Sequence, residues 1–358
     1  MKILLAFDSF KHCMRACDVC SCVREGILQA VPEAQVLSFP LADGGEGTVD
    51  AVCRIAGKGP EMIGVTGPLG ERREAPVLIQ GDFAVLEAAS ACGIEWVPPE
   101  KRNPFRTTTY GVGELLAALA ARGVRKCVVG LGGSATVDGG IGMLRALGGR
   151  FYDASGRETG SLVDVVTMDA LPPMPEMDIL LASDVENPLC GPHGAAAVFG
   201  PQKGAGEEDI PVLDKALCHF QTLFHAHDLP GDGAAGGLGF AFRMLGAART
   251  SGARWMLEYA GIKEALQGAD LLITGEGRSD GQTADGKLPW IAAGYAACAG
   301  VPAVLLSGAL GEGCEALEER FTALCSLAPG PMTLEACLQA APEQLRRQGR
   351  NLARLLAL

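Results

Sequence analysis

The feature that most constrains this chain is a short apolar strand that runs straight into a loop of glycines, acids and bases. The stretch from Leu271 to Lys287 reads LLITGEGRSDGQTADGK. Its glycines permit left-handed turns and close approach of the backbone to a ligand. Five charged residues lie among them: Glu276, Arg278, Asp280, Asp285 and Lys287. At the end of a strand in an α/β protein this composition is typical of a site for an anionic ligand and its metal, and a solvated surface loop is the alternative.

The same composition recurs at the ends of four other predicted strands. Those loops carry Asp8, Ser9 and Lys11; Asp43, Glu46 and Thr48; Ser134, Thr136 and Asp138; and Asp184 with Asn187. Backbone amides cradle phosphate oxygens, and carboxylates hold a hard cation such as Mg²⁺ through oxygen. Each loop alone is better explained as a surface turn, but five together favour a site for phosphate and magnesium.

Apolar periodicity predicts an α/β fold with two domains. Strands at 3–6 and 36–39 enclose a helix at 17–30, which indicates a parallel sheet. From about Val65 shorter strands and a Gly-Pro-Leu-Gly turn predict a partly antiparallel segment. We expect a Rossmann-like parallel-sheet domain built from 1–65 and 262–358, with 66–261 as an inserted mixed α/β domain.

Composition excludes several classes of protein. The net charge is -12 with no run of Lys or Arg, so a nucleic-acid partner is not expected. No apolar stretch is long enough to span a membrane. Thirteen cysteines without a secretory signal fit a reducing cytoplasm. The tail 333–358 has the spacing of an amphipathic helix with a solvated basic face that includes Arg346 and Arg350.

Three well-known motifs are imitated but not completed. The run 281–287 has the Walker spacing, but Leu288 stands where a hydroxyl should follow the lysine. Gly130-Leu-Gly-Gly-Ser-Ala135 fits a relaxed dinucleotide fingerprint, which the glycines at 139 and 140 weaken without excluding. Gly277-Arg-Ser-Asp-Gly281 fits a nucleophile elbow, but no histidine follows it in the chain, so a hydrolase triad is impossible.

Taken in order, the polar loops resemble the bacterial glycerate kinase family of type I across almost the whole chain. The segments that carry the resemblance are Asp8-Ser-Phe-Lys11, Ala42-Asp-Gly-Gly-Glu-Gly-Thr48, Gly132-Gly-Ser-Ala-Thr136 with Asp138-Gly-Gly140, Asn187-Pro-Leu-Cys-Gly191, Phe199-Gly-Pro-Gln-Lys-Gly204, Gly233-Ala-Ala-Gly-Gly-Leu-Gly239, Thr274-Gly-Glu-Gly-Arg278, Asp280-Gly-Gln-Thr283 and Gly286-Lys287. The chain departs from the family pattern at Phe7, where proline is usual, at His12-Cys-Met-Arg15, and at Val137.

The resemblance implies two α/β domains with the active site in the cleft between them. It implies ATP and Mg²⁺ as cofactors and D-glycerate as the acceptor, phosphorylated at its 2-hydroxyl. Three alternatives stay open: another small hydroxy acid as acceptor, 3-phosphoglycerate as product, or a sugar-acid sensor on the same fold that does not consume ATP.

Phosphoryl transfer needs positioning and charge neutralisation more than covalent chemistry, and residue roles are assigned on that basis. We hypothesise that Asp184 or Asp280 orients or deprotonates the hydroxyl. Metal ligands are expected among Asp8, Asp43 and Asp280. The bases Lys11, Arg278 and Lys287 would offset phosphate or carboxylate charge. The residues expected at the cofactor are Gly132, Gly133, Ser134, Thr136, Asp138, Gly236, Gly237 and Lys287.

Overall fold

The computed structural model describes residues 1–11, 13–42, 44–171 and 176–358. The chain divides into two compact units, Met1–Asp43 with Ala253–Leu358 and Gly44–Gly252. The segment 44–65, predicted to belong with the chain ends, contributes a helix and a strand to the second unit. The predicted domain boundaries at 65 and 262 stay a prediction.

Strands and helices alternate along most of the chain. The strands are β1 (Lys2–Phe7), β2 (Gln35–Pro40), β3 (Glu61–Thr66), β4 (Arg72–Gln80), β5 (Phe83–Glu87), β6 (Lys126–Gly130), β7 (Phe151–Tyr152), β8 (Thr167–Met168), β9 (Asp178–Ala182), β10 (Ala248–Thr250), β11 (Leu271–Gly275), β12 (Arg278–Ser279), β13 (Ala303–Ser307), β14 (Ala309–Leu310) and β15 (Ala323–Ser326). The helices are α1 (Ala16–Ala30), α2 (Thr48–Ala56), α3 (Ala88–Cys92), α4 (Tyr110–Ala121), α5 (Ile141–Ala146), α6 (Ala195–Phe199), α7 (Asp209–Leu223), α8 (Leu238–Met244), α9 (Gly252–Tyr259), α10 (Ile262–Leu266), α11 (Leu288–Cys298) and α12 (Leu334–Leu356).

The first unit is built on a parallel sheet of five strands in the order β15-β13-β11-β1-β2. Read in chain order within the unit, this is the 2-1-3-4-5 arrangement of doubly wound proteins. Alternate residues Ile3, Leu5 and Phe7 of β1 join a core that α1 and α12 complete. Helix α11 packs against β1, β11 and β13. Burial on both faces explains why these strands are continuous apolar runs.

The second unit is built on a six-stranded sheet in the order β10-β9-β6-β5-β4-β3. The pairs β10–β9, β9–β6 and β6–β5 are parallel, whereas β5–β4 and β4–β3 are antiparallel. The predicted partly antiparallel segment is therefore confirmed. Its core includes a cluster of phenylalanine rings around Phe220. In the part of the chain described, no helix combines the length and apolar character that crossing a membrane requires.

Candidate functional site

The loops after β1 and β11 leave the parallel sheet of the first unit side by side. The two strands are parallel neighbours, and Phe7 lies opposite Gly275 at their carboxyl ends. The backbone amide of Asp8 donates to the carbonyl of Gly275 at 3.1 Å. In a 2-1-3-4-5 sheet these two strands flank the switch point, where the chain changes direction across the sheet and a ligand crevice opens.

Glycine is required where these loops pack against the one that follows β13. A Cβ on Gly275 would lie 1.9 Å from the carbonyl oxygen of Leu306. One on Gly308 would lie 2.4 Å from the carbonyl oxygen of Gly277. The loops after β1, β11 and β13 are thus held together backbone to backbone, which explains part of the glycine pattern in the stretch 271–287.

Glu276 is held in one orientation by two hydroxyl groups. Its Oε1 accepts hydrogen bonds from Ser279 Oγ at 3.0 Å and Thr283 Oγ1 at 2.7 Å. Ser279 Oγ also contacts Ser307 Oγ at 2.7 Å. The other carboxylate oxygen, Oε2, lies 3.8 Å from Lys287 Nζ. Because only 13% of the Glu276 side chain is exposed, its charge acts within the site rather than in bulk solvent.

Asp280 begins the 3-10 turn Gly281–Asp285 that connects the loop to α11. Its Oδ1 accepts from the backbone amide of Gln282 at 3.1 Å, and its own amide donates to Thr283 Oγ1 at 3.2 Å. The same Oδ1 lies 3.8 Å from Lys287 Nζ, and Oδ2 lies 3.9 Å from Arg278 Nε. Lys287 therefore sits between two carboxylates. The Arg278 side chain is 70% exposed and available to a ligand.

A cavity of about 570 Å³ opens at these loops, and residues of the first unit alone line it. We call its charged lining residues the charged half: Asp8, Lys11, Glu276, Arg278, Asp280 and Lys287. We call the apolar lining residues from the end of β15 to the start of α12 the apolar half: Leu327, Ala328, Pro329, Met332, Leu334 and Leu338. The structure thus brings together five predicted site residues of the first unit, Asp8, Lys11, Arg278, Asp280 and Lys287.

The other predicted residues lie in the second unit or outside the described residues. Asp184 follows β9 and is exposed. Asp43, a predicted metal ligand, lies outside the described residues, as does His12. The expected cofactor residues from Gly132 to Asp138 follow β6.

Asp138 is buried and its carboxylate is fully engaged by the protein. Oδ2 accepts from the amide and the hydroxyl of Thr109 at 2.9 and 2.8 Å and from the amide of Gly142 at 3.3 Å. Oδ1 accepts from the amide of Gly140 at 3.0 Å. Burial raises the pKa of Asp138, and these hydrogen bonds oppose the rise. Its role at the cofactor stays a prediction, and these hydrogen bonds give a structural reason for an aspartate at this position.

Gly236 and Gly237 contact the loop after β6 directly. A Cβ on Gly236 would lie 1.9 Å from the carbonyl oxygen of Thr136, and one on Gly237 would lie 2.8 Å from the Cα of Gly139. The amide of Gly139 donates to the carbonyl of Gly236 at 3.0 Å. Both glycines are buried, so close backbone packing accounts for them.

Sequence reasoning did not single out Lys203, which the fold buries beside Ser134 and Thr136. Its Nζ donates to Ser134 Oγ at 2.9 Å and to the carbonyl oxygen of Thr136 at 2.8 Å. Burial lowers the pKa of Lys203 to about 8, and nearby Cys92 and Asp138 oppose the fall. The sequence pointed to Lys203 only as part of the segment 199–204, one of the segments that carry the family resemblance.

The imitated motifs differ from the real ones in three dimensions. Ser279, the serine of the apparent nucleophile elbow, is fully buried and bonded to Glu276. Helix α5 begins only at Ile141, so no helix N-terminus lies at Ser134, where a dinucleotide fingerprint needs one. These two alternatives lack their structural context.

A doubly wound parallel sheet with clustered carboxylates and bases at its switch point defines an α/β protein with a candidate ligand site at the strand ends. The glycerate kinase family model matches residues 3–357, and the chain belongs to that family. It is therefore a kinase.

The relatives match over their full lengths. The chain is 40% identical to glycerate kinase of Bacillus subtilis (strain 168), covering 100% of this chain and 98% of that one. It is 38% identical to glycerate 2-kinase of Escherichia coli (strain K12), again covering 100% and 98%. A solved structure from Salmonella typhimurium LT2, assigned as a glycerate kinase 2, superposes with a TM-score of 0.85 at 39% identity, covering 100% of this chain and 98% of that chain.

Proposed function

We propose that this chain transfers the γ-phosphoryl group of ATP to the 2-hydroxyl of D-glycerate, giving 2-phosphoglycerate and ADP. The main support for this reaction is the charged half of the cavity at the switch point, found in a chain that belongs to the glycerate kinase family. The position of transfer is supported by the Escherichia coli relative, which is named as a 2-kinase.

The chemistry of the charged half suits Mg²⁺. Asp8, Glu276 and Asp280 offer carboxylate oxygens, the ligands that this hard cation prefers. We propose Asp8 and Asp280 as the residues that would hold the ion, since both line the cavity and both follow strands of the parallel sheet. When bound, Mg²⁺ neutralises charge on the phosphates.

The reaction requires a proton acceptor and a set of cations. A carboxylate takes the proton of the 2-hydroxyl as its oxygen bonds to the γ-phosphorus and the bond to the ADP oxygen breaks. Asp280 and Asp184 are the two candidate acceptors, one on each unit. Lys11, Arg278 and Lys287 offset the charge of the phosphates, with Arg278 suited to a two-point contact.

Product analysis tests the proposed reaction. The purified chain, incubated with ATP, Mg²⁺ and a panel of small hydroxy acids, should consume ATP with D-glycerate, and phosphorus NMR should identify 2-phosphoglycerate. A 3-phosphoglycerate signal would overturn the position of transfer. Turnover of a different acid, or glycerate binding without ADP release, would overturn the proposed substrate or the proposed catalysis.

Substitution of the two carboxylates tests the roles of the residues. Asp280→Asn and Asp184→Asn should each lower kcat at least about a hundredfold, the lower range for loss of an acid-base group. Asp285→Asn is the matched control, because Asp285 is an exposed carboxylate of the same turn and should keep near-normal turnover. Near-normal kcat in both Asp280→Asn and Asp184→Asn would refute the proposed roles.

A further inference from the structure

We propose that the cavity of the first unit is the adenine-nucleotide site, with the purine ring in the apolar half and the phosphate chain along the charged half. The inference rests on the proposed function only for the identity of the ligand as ATP. It moves the nucleotide away from Gly132, Gly133, Gly236 and Gly237, where the glycine pattern of the sequence had suggested it.

The two halves of the cavity match a ligand with a flat apolar body and a polyanionic tail. Lys11, Arg278 and Lys287 supply positive charge to the cavity lining, and an uncharged wall formed by the segment after β15 and the start of α12 supplies apolar surface. Glycerate has three oxygen-bearing carbons, so it offers no surface to cover that wall. The volume of about 570 Å³ also falls in the range of roughly 300–1,000 Å³ for drug-sized ligands, well above what a three-carbon acid fills.

The rim of the apolar half is left open to solvent. Leu334 is 75% exposed and Met332 is also exposed, and both line the cavity. Apolar surface in contact with water is unfavourable, and a purine ring lying on these side chains would remove part of that surface from water. A nucleotide base therefore supplies the missing contact for these side chains.

The charged half offers what a phosphate chain needs. Lys287 Nζ lies 3.8 Å from a carboxylate oxygen of Glu276 and 3.8 Å from one of Asp280. These two contacts hold its ammonium group at the cavity lining. The exposed guanidinium of Arg278 can contact two phosphate oxygens at once. The location at the switch point is where open parallel sheets bind their ligands.

At Gly132 and Gly236 of the second unit, neighbouring backbone fills the space where a side chain would begin. A Cβ would lie 2.6 Å from Gly45 Cα at Gly132 and 1.9 Å from the Thr136 carbonyl oxygen at Gly236. These glycines let two protein segments touch, so close backbone packing accounts for them without a phosphate chain. The packing thus favours the first unit as the nucleotide site.

Direct binding of ATP and adenosine, measured by calorimetry on the full chain without glycerate, tests this site. Ala328→Trp fills the apolar half and Leu334→Glu adds a charge at its rim, so both should weaken ATP and adenosine alike, by about tenfold or more. Lys287→Met should weaken ATP by about tenfold and adenosine little. Glutamate at the first position of α12 favours the helix, so Leu334→Glu should fold.

Leu355→Glu is the matched control, because Leu355 is also an exposed leucine of α12 but lies outside the cavity lining. It should leave both affinities unchanged. Normal ATP affinity in both Ala328→Trp and Leu334→Glu would overturn the inference even if glycerate is phosphorylated. The expected binding pattern without any phosphoglycerate would instead refute the proposed function and leave the nucleotide site standing.

Discussion

Glu87 is a carboxylate that the fold takes almost entirely out of water. It ends β5, is 7% exposed, and accepts a hydrogen bond from the backbone amide of Val49 at 2.6 Å. Burial raises its pKa to about 7, the bond from Val49 opposes the rise, and the neighbouring charges of Glu46 and Glu95 add to it. The sequence carried no sign of this, because Val49 and Glu46 are remote from Glu87 along the chain.

The raised pKa predicts a pH dependence of stability. The folded chain holds the Glu87 proton up to about pH 7, whereas the unfolded chain releases it near 4.5. The stabilisation is therefore complete below pH 4.5 and is lost as the pH rises through 7, by up to roughly 3 kcal/mol. In Glu87→Gln this loss should disappear.

Urea unfolding at pH 5 and pH 8 measures the effect as a difference in midpoint. Glu74→Gln serves as control, since Glu74 is an exposed carboxylate on β4, and it should keep the wild-type difference. A Glu87→Gln chain with the wild-type pH dependence would show that the prediction is wrong.

Alanine substitutions at two glycines of the second unit distinguish the cost of a left-handed backbone from the cost of a steric clash. Gly236 and Gly246 both have a left-handed φ, +72° and +86°, but only Gly236 has a backbone atom where a Cβ would go. Gly246→Ala should cost about 1–2 kcal/mol of folding free energy, the price of the left-handed conformation. Gly236→Ala should cost about 1–3 kcal/mol more, because the loop of Thr136 must move. Chemical denaturation of both variants checks this, and equal losses would contradict it.

At the element scale, glycines allow α1 and α12 to pack backbone against backbone. A Cβ on Gly26 of α1 would lie 1.9 Å from the carbonyl oxygen of Arg346, and one on Gly349 of α12 would lie 2.4 Å from that of Val23. Arg346 Nε also donates to Glu25 Oε2 at 2.6 Å. The predicted amphipathic helix is confirmed, but its basic face is not wholly solvated, since Arg346 is paired with α1.

The close packing of α1 on α12 predicts that a glycine-to-alanine substitution has opposite effects on stability at two helical positions. Gly349→Ala should destabilise the chain by about 1–3 kcal/mol, because α1 and α12 must separate. Gly294→Ala in α11 should be neutral or stabilising by up to about 1 kcal/mol, since its Cβ would meet only the end of Arg320 at 3.3 Å. Thermal unfolding of the two variants compares them, and stabilisation by Gly349→Ala would rule out the tight crossing.

Individual strands were predictable, whereas their order was not. Strands β1 and β2 contain the predicted strands at 3–6 and 36–39, because a short apolar run bounded by turns is typical of a buried strand. The sheet order β15-β13-β11-β1-β2 depends on pairings between residues such as Ile3 and Leu271, far apart in the chain. No local pattern encodes such a pairing.

For the whole molecule, all thirteen cysteines are free thiols. Titration in denaturant should therefore count thirteen, and a reductant should leave the unfolding midpoint unchanged. Cys190 and Cys218 place their sulfur atoms within 4.8 Å of each other and of an Asp214 oxygen. Two fewer thiols in freshly purified chain would contradict the prediction and identify these two as the first pair to examine.

The sequence by itself determined the α/β class, most strands of both sheets, the family, and the cluster from Glu276 to Lys287. Those features are local: apolar runs mark strands, and residues within one loop are neighbours whatever the rest of the chain does. Only the tertiary structure decided that Asp8 and Lys11 line the same cavity as that loop, that Glu87 and Lys203 are buried, and that Gly236 serves packing. Each of these depends on segments that meet only when the sheets form, because burial and backbone contact are properties of the assembled core and not of any one stretch.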